Sequence, residues 1–166
     1  MGEDTSYDNK QFIMGVLDDW DWNDTIEGYD SQIGGFDSAL IDSGAALSVC
    51  PEGFAPGKPI MSTEKKKLYS VQGASIKHFG KKQVDLRLSD GKLAQCDFDV
   101  TNVSKPIVAV AALCDKGNAV VFDSDRSYII NKKTGDTTEL RRRGNGFFMD
   151  FKIEEPKKVD SRVMAA

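Results

Sequence analysis

The sequence predicts an all-β domain, a barrel or a sandwich, and three observations carry that expectation. Runs such as FDSALIDSG, KQVDLRL, CDFDVTNV, NAVVFDS and RSYIINK are rich in β-branched and aromatic residues, often alternating with polar ones as strand side chains alternate between faces. Turn signals separate them: Ser89-Asp90-Gly91-Lys92 links the run Val84 to Leu88 to the run Cys96 to Val100, and Lys132-Lys133-Thr134-Gly135-Asp136 makes a similar link later. Within this strand-patterned region the one helix expected is short, Ile107 to Lys116, which opens after Pro106 and stops at Gly117.

In chain order, residues 1–34 are rich in Asp, Asn, Gly and Tyr and read as an acidic arm or linker. They hold a short amphipathic run around Phe12 to Leu17 and the cluster LDDWDWND, whose Trp20 and Trp22 either anchor a partner or form an edge strand. Residues 35–151 carry the strand pattern and form the expected domain, while residues 152–166 lack periodic apolar positions and read as a disordered tail. A chain of 166 residues that is 40% hydrophobic supports one core of ordinary size and is short for two domains.

A formal charge of −4 argues against a protein built to coat nucleic acid or an anionic membrane, since either task needs a basic face. The opening MGEDTSYDNK is acidic and polar where a secretory leader is basic and then apolar, and no run has the length of a membrane span, so the protein reads as soluble and intracellular. Ser6 stands where an N-myristoylation signal wants Ser or Thr, but the match is short. Cys50, Cys96 and Cys114 are widely spaced among apolar neighbours and the chain has a single histidine, so reduced, mostly buried thiols are expected and no metal or cofactor. That histidine, His78, reads as solvated, and Lys65-Lys66-Lys67 and Arg141-Arg142-Arg143 read as solvated turns.

The chemistry concentrates in Ala39-Leu40-Ile41-Asp42-Ser43-Gly44-Ala45, a small apolar strand running straight into Asp-Ser-Gly-Ala. A carboxylate at the end of a buried strand, with a hydroxyl beside it and a glycine that permits close backbone approach, is a costly local arrangement, and such cost points to use. An ordinary β-turn is the alternative, because Asp, Ser and Gly are also the usual turn residues.

Three features in order resemble a known family, the retropepsins, and in particular the protease regions of copia-type retrotransposon polyproteins. The first is Leu40-Ile41-Asp42-Ser43-Gly44-Ala45-Ala46-Leu47-Ser48-Val49. The second is Tyr69-Ser70-Val71-Gln72-Gly73-Ala74-Ser75-Ile76 followed by Gly80 and the alternating run Val84 to Leu88, which resembles a flap hairpin and its strand. The third is Phe98-Asp99-Val100, Lys105-Pro106-Ile107-Val108, Leu113 and the stretch Gly117 to Phe122. In viral retropepsins Gly-Arg-Asn or Gly-Arg-Asp follows the two aliphatic residues, whereas here Ala109-Val110-Ala111 stands there, a departure that copia-type sequences tend to share.

The resemblance, over roughly residues 35–151, implies a closed retropepsin-like barrel with a flap hairpin and one short helix, active as a twofold homodimer. The chain has no second Asp-Ser/Thr-Gly, because Asp37-Ser38 precedes Ala39 and Asp123-Ser124 precedes Asp125, so two copies would supply one Asp42 each. The implied activity is an aspartic endopeptidase in which two adjacent Asp42 carboxylates share a proton, one acting as base on a water and the other as acid toward the peptide carbonyl. Ser43 would hold the carboxylates by hydrogen bonds, Gly44 would bring a backbone N–H to them, and Ala45 would pack below. Val71, Gln72, Gly73, Ala74, Ser75 and Ile76 would cover an extended peptide, with Val108 at the floor. Polyprotein processing in the cytoplasm or within virus-like particles would follow, without direct nucleic-acid or membrane contact. Two alternatives stand beside it: an inactive protease-like module for binding or dimerisation, and an unrelated β-barrel with an Asp-Ser-Gly turn.

Overall fold

Along the run His78 to Leu88 every second residue is buried, the burial rhythm of a strand with one face on a core. A computed structural model of the chain describes residues 11–13, 37–70 and 73–155. Among them the strands are β1 (Gln11–Ile13), β2 (Asp37–Asp42), β3 (Val49–Pro51), β4 (Leu68–Ser70), β5 (Ser75–Ile76), β6 (His78–Leu88) and β7 (Leu93–Thr101). They continue with β8 (Ile107–Ala109), β9 (Asn118–Val121), β10 (Ser127–Asn131), β11 (Thr137–Arg143) and β12 (Gly146–Ile153); one helix, α1 (Val110–Asp115), follows β8. The described residues are therefore mostly β-sheet. Trp20, Trp22, Val71, Gln72 and residues 156–166 lie outside the described residues.

Nine strands pair in the order β2-β8-β3-β7-β6-β12-β11-β10-β9, and β2 also pairs with β12, so the run of pairings from β2 to β12 returns to its start. β2 is thus held on both edges, parallel to β8 and antiparallel to β12. A separate three-stranded sheet, β1-β4-β5, carries the hairpin over residues 68–76.

Both turn signals act as the sequence predicts. Gly91 adopts a φ of 88° between β6 and β7, and Gly135 a φ of 78° between β10 and β11, where the left-handed region suits glycine. Gly80 is constrained further: its φ is 146°, and a Cβ there would meet the Met61 carbonyl oxygen and the Ile60 side chain. Met61 bridges to Lys81 through paired backbone hydrogen bonds of 2.7 and 2.9 Å, so the segment leading to the hairpin is pressed against β6.

The main core gathers Ile41, Val84, Leu86, Phe98, Val100, Met149 and Phe151. Phe54 meets Phe98 and Phe151 edge-on at centroid distances of 5.4 and 5.8 Å, the favoured geometry for aromatic pairs. Full burial of each of those two partner rings stabilises the fold by about 1.5–3 kcal/mol. Lys82 is also buried, its ammonium donating to the carbonyls of Glu52 at 2.9 Å and Phe54 at 2.7 Å, which ties down the loop after β3.

Four expectations are corrected. The helix expected from Ile107 begins only at Val110, because Ile107, Val108 and Ala109 form β8 and complete the ladder beside β2. Its end is as expected: Gly117 takes a φ of 88° and its N–H bonds the Cys114 carbonyl at 3.0 Å. The ordered chain runs past Phe151, since β12 extends to Ile153 and the Glu154 N–H donates to the Asp85 carbonyl at 2.9 Å. Arg141, Arg142 and Arg143 end strand β11 instead of forming a turn, and Arg141 pairs with Asp150 across the β11–β12 hairpin. His78 is buried, as described below. The thiols grade from buried Cys50 through half-buried Cys96 to exposed Cys114; burial pushes the first up to about 12 and the second up to about 11.

Candidate active site

β2 delivers Asp42 at the point where the ladder ends and the chain turns, opposite Ala109 of β8. Side chains alternate along a strand, so Asp42 shares its face with Leu40, Ile107 and Ala109, while Ile41 and Val108 point the other way into the main core. The face of Asp42 belongs to a second cluster, in which Ala45, Ile107 and Ala109 pack with Leu68 and Ile76 from the roots of the hairpin. The carboxylate loop and the hairpin therefore share one apolar foundation.

The Gly44 N–H donates to Asp42 Oδ1 at 2.8 Å. Asp42 Oδ2 is buried and has no hydrogen-bond partner among the described residues. Burial raises the pKa of this carboxyl above its ordinary value of 3.8, and the backbone N–H groups of Gly44 and Ala45 offset part of the rise. Raised affinity for a proton, one oxygen held and one left over, is what a carboxyl needs if it is to share a proton with a second acid or bind a water.

Among the predicted site residues, Gly44 supplies the expected N–H and Ala45 is buried beneath the loop. Ser43 is exposed and makes no hydrogen bond to Asp42 among the described residues. The hairpin pairs Leu68 with Ile76 and Tyr69 with Ser75; Gly73, with a φ of 86°, Ala74 and Ser75 are exposed towards its tip, and Ile76 is buried at its root. The tip is braced by Ser70, whose Oγ accepts from the Ala74 N–H at 3.1 Å and whose carbonyl accepts from the Gly73 N–H at 2.9 Å. Val71 and Gln72 fall outside the described residues.

Val108 is 2% exposed and sits beside Ile41, bordering a cavity of about 310 Å³ that Leu47, Lys66, Asp99 and Leu113 also line. Ile107, one residue earlier, lies on the face of Asp42, a placement fixed by the β2–β8 register and hidden from sequence patterning. Ser48 is a second residue that sequence reasoning missed. Its Oγ accepts from the Ala109 N–H at 3.0 Å and its carbonyl accepts from the Asp99 N–H at 2.9 Å, so it ties the loop after Asp42 to both β8 and β7.

His78 is the third. Its side chain is 1% exposed, its Nε2 lies 2.8 Å from Asp99 Oδ1, and its Nδ1 accepts from the Lys66 N–H at 3.3 Å. The Lys66 ammonium completes the cluster 3.3 Å from Asp99 Oδ1. Among the described residues no three His, Cys, Asp or Glu side chains gather as metal ligands, and no helix is long and apolar enough to cross a membrane. No protein-family model, curated protein or solved structure matches the chain.

Proposed function

We propose that the chain is an aspartic endopeptidase of the retropepsin type, in which two copies pair so that their Asp42 carboxylates form one active site. The observation that carries this reading is the state of Asp42: one oxygen fixed by the Gly44 N–H, the other buried without a partner among the described residues, and the carboxyl drawn towards its protonated form. A second carboxylate across a twofold axis would give the free oxygen a shared proton and a water to hold. The ionised member of the pair then takes a proton from that water, and the protonated member hydrogen-bonds the peptide carbonyl under attack.

Two features of the fold support the reading. The return of the strand pairings to β2 fits a closed barrel, and the 68–76 hairpin rises from the apolar cluster that underlies the Asp42 loop, the position from which a flap would cover an extended substrate. Processing of a retroelement polyprotein, in the cytoplasm or in virus-like particles, is the setting that goes with this chemistry.

The test is cleavage of a mixed peptide library across acidic to neutral pH at several protein concentrations. Activity that rises faster than linearly with concentration, and is lost with pepstatin, is the expected outcome. A folded, dimeric sample that cleaves nothing at any pH would replace this reading with that of a protease-like binding module.

A further inference from the structure

The hydrogen bonds around His78 link the root of the hairpin to β8, the strand that pairs with the one carrying Asp42. The Lys66 N–H, two residues before β4, donates to His78 Nδ1 at 3.3 Å. His78 Nε2 meets Asp99 Oδ1 at 2.8 Å, the Asp99 N–H donates to the Ser48 carbonyl at 2.9 Å, and the Ser48 Oγ accepts from the Ala109 N–H at 3.0 Å. Ala109 is the register partner of Asp42. We propose that His78 is a positioning residue that locks the hairpin root to the Asp42 strand pair when neutral and releases it when protonated.

The tautomer follows from the partners. Nδ1 faces a backbone N–H and so must present a lone pair, which puts the single proton of the neutral ring on Nε2, where it is donated to the Asp99 carboxylate. Both ring nitrogens are then satisfied inside a site with almost no access to water. A second proton can go only on Nδ1, and there it sets one N–H against another.

The Asp99 carboxylate from β7 welcomes the imidazolium, whereas the Lys66 N–H loses its acceptor and the Lys66 ammonium gains a like charge beside it. Thr101, opposite His78 in the β6–β7 register, is neutral and does not alter this balance. Protonation therefore strengthens the link to the barrel and breaks the link to the segment that enters β4. The hairpin root is the element set free.

This inference rests on the reading of the hairpin as a substrate cover, but its first test does not need activity. His78 is the only histidine of the chain, so its ring nitrogens are assigned in a nuclear magnetic resonance spectrum without ambiguity. The expected result for the neutral ring is a proton on Nε2 alone. As the imidazole titrates, the amides of Lys66 and Ser70 should lose protection from hydrogen exchange roughly 2- to 10-fold with the same midpoint, as the loss of one net hydrogen bond requires. The Val84 and Val100 amides should keep theirs. A proton on Nδ1 in the neutral ring, or a titration that leaves Lys66 and Ser70 unchanged, overturns the proposal.

His78→Gln keeps an N–H donor near the Nε2 position but cannot titrate, so protection at Ser70 should lose its pH dependence over that range. In the peptidase assay KM should rise below the imidazole titration while kcat moves less, and His78→Gln should flatten that profile. Absence of cleavage would remove the peptidase reading and leave the exchange result standing. Cleavage with a KM indifferent to the imidazole titration would remove the positioning role alone.

Discussion

Asp42 and Asp99 each take a carboxylate out of bulk water, and they meet the cost in opposite ways. Asp99 is 5% exposed, and both of its oxygens are engaged, by the imidazole of His78 and the ammonium of Lys66. Asp42 has backbone donors on one side and, on the other, an oxygen with no hydrogen-bond partner among the described residues. A buried polar group without a partner costs about 1–3 kcal/mol relative to a satisfied one. The fold thus neutralises one carboxylate and, among the described residues, leaves an oxygen of the other without a partner. On the proposed reading, incomplete satisfaction goes with the reactive group and complete satisfaction with the group that holds the frame.

The largest expected effect tests that contrast at its functional end. Asp42→Asn should lower peptide cleavage by about 10²- to 10⁴-fold, the range over which a positioned acid or base acts, with the circular dichroism spectrum unchanged. Asp99→Asn, which removes a charge but keeps a hydrogen-bonding amide, should leave most of the activity. Equal losses in the two variants would break the comparison.

At the structural end the order reverses. Asp99→Ala strands the ring N–H of His78 and the ammonium of Lys66, and urea denaturation should report a loss of about 1–3 kcal/mol. The same experiment on Asp42→Ala should give less, because that variant discards a group whose burial is already unfavourable.

The third expectation concerns the sign of a pH effect. Burial raises the folded-state pKa of Asp42 above the unfolded value of 3.8, so below that value both states are protonated and the residue is neutral to stability. As pH rises past it, the unfolded chain loses its proton first, and stability falls until the folded carboxyl has ionised too. Asp42→Asn should therefore melt at a higher temperature than the native chain above this window and at the same temperature below it. Dilute protein keeps the two carboxylates apart during the measurement. A variant that melts lower at neutral pH would show that the carboxylate has a stabilising partner.

What the sequence made legible is what lies close along the chain. The Asp90-Gly91 and Gly135 turns and the strand running into Asp42-Ser43-Gly44 are each set by neighbouring residues, and the structure has them where expected. What it hid depends on partners far along the chain. The run Ile107 to Leu113 is apolar enough for strand or helix, and pairing with β2, more than sixty residues earlier, turns its first three residues into a strand. The same register decides that Ile107 and not Val108 shares the face of Asp42. His78 reads as solvated because its partner Asp99 is 21 residues away, and an isolated histidine in a lysine-containing stretch carries no local sign of burial. β12 closes against β2 through Phe148 and Leu40, a contact that no window of sequence contains.

The smallest effect supplies the calibration for the other two carboxylates. Both oxygens of Asp150 accept hydrogen bonds from Arg141, the shortest at 3.1 Å to Oδ2 and 3.0 Å to Oδ1, so in geometry it is as well partnered as Asp99. It differs in solvation: the two side chains are 23% and 27% exposed, against 7% for Asp99 and 1% for His78. Water competes for the charges of the Arg141 pair and screens them, so Asp150→Asn should cost only about 0.2–1 kcal/mol and lose most of that in molar salt. If Asp150→Asn cost as much as Asp99→Ala, partner count would outweigh burial, and the free oxygen of Asp42 would be the whole of its distinction. If it cost little, the contrast between Asp42 and Asp99 rests on both terms together, a site dry enough for a missing partner to matter and a partner that the described residues do not provide.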